Sequence, residues 1–284
     1  MHKAKGEGAL AALEEKLYLS LHDGIAAVSP EGTVLRHAHL DGALALCAGE
    51  KSLFCADHSG AIWRFDRETL MPRSLSCGGP GICAMCLSPR AERLYALLGE
   101  ADSVLMSDAR SGRPLAVNRC GCNPRALSLC GELLAVAGGE SGCVHLYRAD
   151  TLECLDEIGM PGPVYSALLL GGAMYALCLA PDLNALLVAK DAEKTVTLRL
   201  SGMPGCLCAA GDCIFAATKG RLHVLSRKAL RLLRVRDAPG RAGRIFVSQA
   251  KMTLHDPLSE CLFTSQDSKL WHRLFSGVND ACLL

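Results

Sequence analysis

The sequence predicts an all-β chain that folds as a seven-bladed β-propeller, with four antiparallel strands in each blade. Short apolar runs of strand length alternate with turns rich in Gly, Pro and Asp. The runs fall into groups of four, and a group recurs about every 40 residues, as propeller blades do. Four short strands cannot bury both faces of their sheet alone, so each group must stack against copies of itself.

The clearest of these units runs from Pro124 to Glu157. A Gly-Glu turn, a Gly-rich loop and a polar turn separate its four predicted strands, which are Arg125–Cys130, Leu133–Ala137, Cys143–Tyr147 and Leu152–Asp156.

Two independent series of positions indicate the same repeat. The centres of the second strands are Tyr18, Phe54, Tyr95, Ala135, Tyr175, Phe215 and Phe263. The matching third-strand positions are Ile25, Ile62, Val104, Val144, Leu186, Leu222 and Leu270. Both series advance by 36 to 42 residues until a final step of 48, which we interpret as a longer first hairpin in the last unit.

The predicted units lie within one domain, because propellers exceed 200 residues as single units. Their boundaries are 9–40, 42–77, 81–120, 124–159, 163–202, 204–239 and 244–284. Since the first unit would begin with an inner strand and the last would end with an outer one, we expect the ring to close by side-chain packing. No strand would then be exchanged between the two ends of the chain.

The amino-acid sequence of the repeat resembles that of a known family. Leu94–Leu97, Ser103–Asp108, Ser111-Gly112 and Asn123–Leu127 resemble the YVTN repeat of bacterial YncE-like β-propellers, within the WD-repeat-like superfamily. The resemblance implies the propeller fold and leaves the function open. The chain has no Trp-Asp or Gly-His dipeptide and only two Trp, so neither a true WD repeat nor a quinone cofactor is implied.

Composition excludes several classes of protein. The apolar run Ala9–Leu13 is followed by Glu14 and Glu15 and is too short for a secretion signal, and no run could span a membrane. We therefore expect a cytoplasmic monomer without membrane contact. Its 16 cysteines should be reduced thiols. Most lie in apolar strands as small buried hydrophobes, namely Cys47, Cys86, Cys130, Cys143, Cys178, Cys213 and Cys261.

Loops between units and loops between second and third strands should share one face, at the mouth of the central channel. There His22, Asp23, Asp57 and His58 could bind a divalent cation or act as acid and base. The alternative is that they are solvated turn residues. Arg125 and Arg244, at the starts of inner strands, should present cations near the channel.

Sulfur is predicted at the same mouth. The candidate soft-metal ligands are Cys77, Cys120, Cys122, Cys206 and Cys208. Their spacing is not that of paired Cys-x-x-Cys zinc motifs, so the sequence predicts no cofactor and leaves a divalent or soft metal as an alternative. His145 and His223 hold equivalent positions two units apart, which predicts packing between blades instead of a shared ion.

Charge is concentrated in one segment. Between Lys219 and Arg244 there are nine basic residues and one acid, which gives +8 in a chain of net charge +1. The candidate partner-binding residues there are Arg231, Arg234, Arg236 and Arg241. Such a segment can bind an anionic partner, or it can protect an exposed edge strand from aggregation. The lack of aromatic residues argues against nucleic acid.

These observations predict a non-enzymatic binding or scaffold module that presents loops around the mouth to a protein or a small anionic ligand. Two alternatives stay open. One is a propeller enzyme of the lyase or lactonase type with a divalent metal at the mouth. The other is a soft-metal or redox-sensing protein that uses the loop cysteines.

Overall fold

The computed structural model describes residues 16–21, 23–29, 33–49, 51–88, 93–240, 244–248, 251–256, 261–265, 272–276 and 278–283. Within these ranges the chain is all-β and forms 28 strands. The described residues contain no helix with the length and apolar character needed to cross a bilayer.

The strands of the described residues form seven four-stranded antiparallel sheets. Sheet one contains β1 (Leu17–Leu21), β2 (Gly24–Val28) and β3 (Val34–His39). Sheet two contains β4 (Ala43–Ala48), β5 (Ser52–Asp57), β6 (Ala61–Asp66) and β7 (Pro72–Cys77). Sheet three contains β8 (Ile82–Ser88), β9 (Arg93–Leu98), β10 (Ser103–Asp108) and β11 (Pro114–Arg119).

Sheet four contains β12 (Pro124–Cys130), β13 (Leu133–Gly138), β14 (Cys143–Arg148) and β15 (Cys154–Gly159). Sheet five contains β16 (Val164–Leu170), β17 (Ala173–Leu179), β18 (Ala185–Lys190) and β19 (Thr195–Leu200). Sheet six contains β20 (Pro204–Ala210), β21 (Cys213–Thr218), β22 (Arg221–Ser226) and β23 (Leu232–Asp237). Sheet seven contains β24 (Arg244–Ser248), β25 (Lys251–Asp256), β26 (Cys261–Ser265) and β27 (His272–Ser276), and the last strand, β28 (Val278–Leu283), belongs to sheet one.

The sheets follow one another around a ring. The innermost strand of each sheet contacts the innermost strands of the two adjacent sheets, in the order β28, β4, β8, β12, β16, β20, β24 and back to β28. This arrangement confirms the predicted repeat of stacked four-stranded units and is that of a β-propeller.

Ring closure differs from the prediction. β28 pairs with β1, so that Leu17 lies opposite Leu283, and the C-terminal strand becomes the innermost strand of sheet one. The expectation of closure without strand exchange is therefore wrong, as is the assignment of the last strand to the seventh unit. The pairing covers an edge of β1 that would otherwise be open, and it ties the two ends of the ring together. The first strand predicted at Ala9–Leu13 lies outside the described residues.

The register of the last unit also differs. Phe263 lies in the third strand of sheet seven, β26, and not in the second. The second strand is β25, whose third residue Thr253 follows Phe215 by 38 residues, and Leu262 of β26 follows Leu222 by 40. The step of 48 therefore reflects a misassigned strand instead of a longer hairpin. Leu270 lies outside the described residues.

The hydrophobic core is divided into layers between adjacent sheets, because each strand alternates its side chains between two faces. On β14, Val144 packs toward sheet five, whereas Cys143 and Tyr147 pack toward sheet three. Tyrosines at one repeat position also join neighbouring sheets: the Tyr95 hydroxyl donates to the carbonyl of Ala149 at 2.6 Å. Each sheet is thus held by its neighbours, as the repeat predicts.

Candidate functional site at the mouth of the ring

Two sets of loops meet at one end of the ring, which we name the mouth. The connections between sheets are hydrogen-bonded to the loops between second and third strands. Examples are Gly139 N to Asn123 O at 2.9 Å and Cys120 N to Asp102 O at 2.8 Å. This confirms the predicted gathering of these loops on one face. The residues at the start of each inner strand lie at the rim of the mouth.

Inner strands β4, β8, β12, β16 and β20 each carry a register shift after their first residue. A bulge of this kind leaves one residue out of the ladder and turns its side chain in a new direction. In four of these strands the single residue left out is Leu44, Cys83, Arg125 or Tyr165. Leu44, Cys83 and Arg125 are exposed, and Tyr165 is half-buried. The bulges therefore line part of the mouth with accessible side chains.

Arg125 is the charged member of this group. Its guanidinium carbon lies 5.1 Å from the centroid of the Tyr165 ring, which belongs to the next sheet. Gly139 provides room for this pose, since a Cβ there would lie 2.8 Å from Cδ of Arg125. The arrangement holds a cation against an aromatic face while leaving it open to solvent. It can bind a carboxylate or a phosphate.

Asp57, one of the acid–base candidates, is committed to hydrogen bonds. Its carboxylate accepts from the backbone and hydroxyl of Ser59, from Ala61 N, and from Trp63 Nε1 at 2.8 Å. Burial alone would raise the pKa of this carboxyl, but the hydrogen bonds outweigh it and lower the pKa. Asp57 is therefore an ionised acceptor that organises its own turn.

The other proposed acid–base residues do not converge in the described residues. Asp23 is exposed and pairs with His37, whose Nε2 lies 3.4 Å from its carboxylate. Its backbone carbonyl accepts from His39 Nδ1 at 2.6 Å. His58 is exposed, its ring lies against Gly42, and within the described ranges no hydrogen bond or ion pair joins it to Asp23 or Asp57. His22 lies outside the described residues.

The basic segment centres on β23, the outermost strand of sheet six. Arg231 and Arg234 are exposed, and Arg236 is half-buried. Leu233 and Val235 alternate with Arg234 and Arg236 on the opposite face and are 48% and 37% exposed. Arg241 lies outside the described residues. The Arg244 side chain likewise lies outside them, although its backbone opens β24.

The sulfur candidates separate into two groups. Cys206 and Cys208 lie within β20 and not in the loop where the sequence placed them, and they pack between sheets six and seven. Burial raises the pKa of the Cys208 thiol to about 11. Cys77 is the last residue of β7, and its side chain lies outside the described residues. None of these three joins Cys120 and Cys122 in a described contact.

Cys120 and Cys122 lie in the connection between sheets three and four and face β14. On that strand Cys143, His145 and Tyr147 point the same way because they are two residues apart. Cys143 Sγ lies 3.0 Å from Nε2 of His145, whose ring stacks on that of Tyr147 at 6.1 Å. All five residues are buried. The ligand atoms of Cys122, Cys143 and His145 lie within 4.8 Å of one another.

The thiols of Cys120 and Cys122 are hydrogen-bonded to each other. The bond from Cys122, supported by one from the Tyr147 hydroxyl, lowers the pKa of Cys120 against the effect of burial. The same bond, with burial, raises the pKa of Cys122. Cys120 is therefore the more acidic thiol of the pair.

The sequence analysis predicted Cys122 as a candidate metal ligand. It predicted that Cys143 would be a core residue and that His145 would pack between blades. Both are buried between sheets, as expected. The pattern that could have joined them is the alternation Cys143, His145, Tyr147 on a single strand face. The contact with Cys122 depends on how two sheets stack, which strand alternation does not specify.

No protein-family model matches this chain, and no curated protein matches it in sequence. Solved structures are similar in fold. A functionally unknown protein from Desulfotomaculum acetoxidans DSM 771 aligns with a TM-score of 0.78 at 10% identity, over 95% of this chain and 98% of that one. The computationally designed Ika8 protein gives 0.69 at 11% identity, over 91% and 87%.

BamB from Moraxella catarrhalis, a β-propeller, aligns with a TM-score of 0.63 at 11% identity, over 94% of this chain and 87% of that one. Together with the ring of four-stranded sheets, this likeness defines the fold class as that of a β-propeller. At such identities the likeness concerns the fold alone. The function must be argued from the site.

Proposed function

We propose that this chain is a seven-bladed, YVTN-like β-propeller that acts as a non-enzymatic binding module and recognises an anionic group of its partner at the mouth. The observation that supports this proposal is the exposed Arg125 guanidinium held over Tyr165 by a strand bulge. The bulge and the neighbouring ring fix the direction of the cation before any partner arrives.

Preorganisation of the Arg125 guanidinium favours binding. A guanidinium offers a planar set of donors that can bind a carboxylate or a phosphate through two hydrogen bonds. Stacking on Tyr165 contributes about 0.5–1 kcal/mol at an exposed site and limits the rotamers of Arg125. Less side-chain entropy is then lost when a partner docks. The nearby aromatic ring also favours a partner with a flat apolar group beside its charge.

The state of the carboxylates supports binding over catalysis. Asp57 already accepts four hydrogen bonds from its own turn and from Trp63. These bonds lower the pKa of Asp57, whereas a general acid that works near neutral pH needs a raised pKa. Asp23 is engaged by His37 and His39.

Calorimetric titration with phenyl phosphate and with inorganic phosphate tests the proposal. We expect phenyl phosphate to bind more tightly than phosphate, and Arg125→Gln to weaken its binding at least tenfold. Arg231→Gln, which removes another exposed cation far from the mouth, should leave binding unchanged. Equal binding by wild type and Arg125→Gln would contradict the proposal, and so would the absence of binding to wild type.

A second candidate site is the edge of β23. β15 occupies the corresponding place in sheet four and carries Asp156 where β23 carries Arg234, and Ile158 where β23 carries Arg236. Because β23 is the outermost strand of its sheet in the described part of the chain, its edge can add a strand. We propose that this edge binds an extended acidic segment of a protein partner, which its charge would attract.

Fluorescence anisotropy with a labelled peptide of alternating Glu and Val tests this second site. We expect binding that weakens with salt and at least a tenfold loss in the variant Arg231→Glu, Arg234→Glu, Arg236→Glu. Replacing Arg125 should have no effect on this peptide. Unchanged binding by the triple variant would remove β23 from consideration.

A further inference from the structure

The cluster formed by Cys120, Cys122, Cys143 and His145 is buried between sheets three and four, and we name it the thiol–imidazole cluster. Its members are between 2% and 8% exposed. Three ligand atoms, from Cys122, Cys143 and His145, already lie within 4.8 Å of one another. Buried cysteines are common in cores, but elsewhere between these sheets the core consists mainly of Leu, Val, Met and Tyr, so the convergence of two thiols with an imidazole is the feature that a metal site would explain.

The local fold brings the cluster together from two sides. Cys143 and His145 are placed by the alternation of β14. Cys122 is placed by Asp102, whose carboxylate accepts from Cys122 N at 3.1 Å and Asn123 N at 2.9 Å. The connection can turn toward β14 because Gly121 adopts a φ of 64°.

Gly138 provides the space for Cys122. It ends β13 with ordinary strand geometry, so no positive φ requires glycine there. A Cβ on Gly138 would lie 2.7 Å from Cβ of Cys122 and 3.0 Å from its carbonyl oxygen, and it would also meet the hydroxyl of Ser141. A glycine inside a strand marks such a close approach. The position is therefore shaped around the cluster.

We propose that the thiol–imidazole cluster is a binding site for a thiophilic d¹⁰ cation, Zn²⁺ or Cu⁺, with Cys122, Cys143 and His145 as ligands and Cys120 as the fourth donor. Cysteine sulfur and histidine nitrogen are the ligands that these ions prefer. Cys120 is assigned to the fourth position because it is the next thiol beside Cys122; it lies outside the group of three converging atoms, so its side chain must rotate toward the ion to bind it. The thiols would release their protons to solvent when the ion binds.

Around these ligands the structure supplies supporting contacts. The Ser141 hydroxyl lies 2.9 Å from Cys143 Sγ and donates to the carbonyl of Cys122 at 3.3 Å. The ring of Tyr147 stacks on that of His145 at an interplanar angle of 18° and limits its rotation. Such outer contacts orient ligands and tune affinity. A bound ion would join the connection between sheets three and four to β14 and so fasten two sheets near the mouth.

This inference is independent of the proposed anion binding at Arg125. It is tested on the full chain, purified with a non-thiol reductant. Zn²⁺ affinity is measured by competition with a chromophoric chelator, Cu⁺ affinity with a Cu⁺-selective chelator, and coordination from the absorption spectrum of the Co²⁺-substituted protein. We expect one ion per chain, a sulfur-to-cobalt charge-transfer band, and a rise in melting temperature with the bound ion.

Substitutions test which side chains bind the ion. Cys143→Ala and His145→Ala should each weaken binding of the preferred ion at least a hundredfold, and Cys120→Ala at least tenfold. Cys178→Ala is the matched control, because Cys178 is fully buried between sheets four and five and outside the cluster. It should bind as wild type does, and circular dichroism should show that all four variants fold.

Failure of either ion to bind the reduced wild-type chain would overturn the proposal, and the cysteines would then be small core hydrophobes. Equal affinity in wild type and Cys143→Ala would overturn it as well. Should Cys143→Ala fail to fold, the Co²⁺ spectrum of Cys143→Ser decides, since a hydroxyl ligand must reduce the charge-transfer band if Cys143 is a ligand.

Discussion

His145 and His223 occupy the same register in the third strands of their sheets, β14 and β22, yet their surroundings differ. His223 Nε2 lies 3.2 Å from both Thr218 Oγ1 and the carbonyl of Ser201, so it is held by oxygen atoms. His145 Nε2 lies 3.0 Å from a thiol, with a second cysteine close by. The residue at the end of the preceding strand accounts for much of the difference: it is Thr218 in sheet six and Gly138 in sheet four.

Sheet two has a third arrangement of side chains at the equivalent positions. There Asp57 ends the second strand and accepts from Trp63, the counterpart of the two histidines. The repeat thus offers an equivalent niche near the mouth in each of these sheets. In sheets two and six, hydrogen bonds between side chains occupy this niche. In sheet four, cysteine sulfur atoms stand where the other two sheets have oxygen atoms. The sheets can therefore share one backbone arrangement while the side chains at this position differ in chemistry from sheet to sheet.

The largest change is expected when sheet four receives the residue that ends the second strand of sheet six. Gly138→Thr places a side chain where Cys122 and Ser141 lie. We expect ten- to hundredfold weaker Zn²⁺ binding, because the ligand is displaced, and a loss of about 1–3 kcal/mol in the free energy of unfolding from overpacking. Chelator competition and urea unfolding measure the two effects.

The control for that variant is Gly159→Thr. Gly159 ends β15, and no atom lies within 4 Å of the place that a Cβ would take there, so neither affinity nor stability should change appreciably. Wild-type Zn²⁺ affinity in Gly138→Thr would show that Gly138 does not provide the space for the ligand.

In sheet six, Thr218→Val tests whether hydrogen bonds close the niche. The change keeps the shape but removes the hydroxyl that donates to Ser201 O at 2.7 Å and contacts His223. Buried polar partners left without a hydrogen bond cost stability, so we expect a loss of about 1–2 kcal/mol in urea unfolding. Thr195→Val on the exposed strand β19 should be neutral. Equal stability of both variants with wild type would contradict this account of His223.

Acid should destabilise the niche of His223. Burial lowers the pKa of His223, opposed by its hydrogen bond to Ser201 and assisted by the charge of Arg221. Because the folded pKa lies below the unfolded value of about 6.5, the unfolded chain binds the proton more readily, and stability falls as pH drops from 6.5 through the folded pKa. Unfolding measured between pH 7.5 and 5 should show this slope, and His223→Gln should reduce it. An unchanged slope in the variant would assign the effect to other groups.

The smallest expected effect concerns the equivalence of the sheets themselves. Tyr18 and Tyr95 donate across to the next sheet, at Arg67 O and Ala149 O, and Phe54 holds the same repeat position facing Ala109. Phe54→Tyr should therefore gain a hydrogen bond to Ala109 and about 0.5–1 kcal/mol of stability. Phe215→Tyr is a companion variant at the same repeat position of sheet six. Destabilisation by Phe54→Tyr would show that sheets two and three do not stack as sheets three and four do.

Much of the fold could be predicted from the sequence, because strand alternation and turn residues repeat in it. The strand assignments that were wrong fall where the alternation of apolar and polar residues is weak or where the pairing is not local. β25 reads Lys-Met-Thr-Leu-His-Asp, whose polar residues resemble a hairpin tip, so the true second strand of sheet seven was passed over. The pairing of β28 with β1 joins residues at opposite ends of the chain, and nothing local specifies it.

The candidate sites were predictable in part. A bulge at the start of β12 exposes Arg125, which the sequence had placed near the channel. Its partner Tyr165 lies in another sheet, so the contact depends on stacking. In the same way, Cys143 and His145 share a strand face by alternation, but the approach of Cys122 requires Gly138 and Asp102 from two different sheets.

X-ray absorption at the zinc edge of the Zn²⁺-loaded chain tests the proposed metal site. We expect sulfur scatterers at about 2.3 Å together with an imidazole nitrogen at about 2.0–2.1 Å. Cys143→Ala should lose sulfur and His145→Ala should lose the imidazole signal, whereas His223→Ala should leave the spectrum unchanged. A spectrum with only oxygen or nitrogen neighbours, or one that responds to His223 and not to His145, would contradict the proposal.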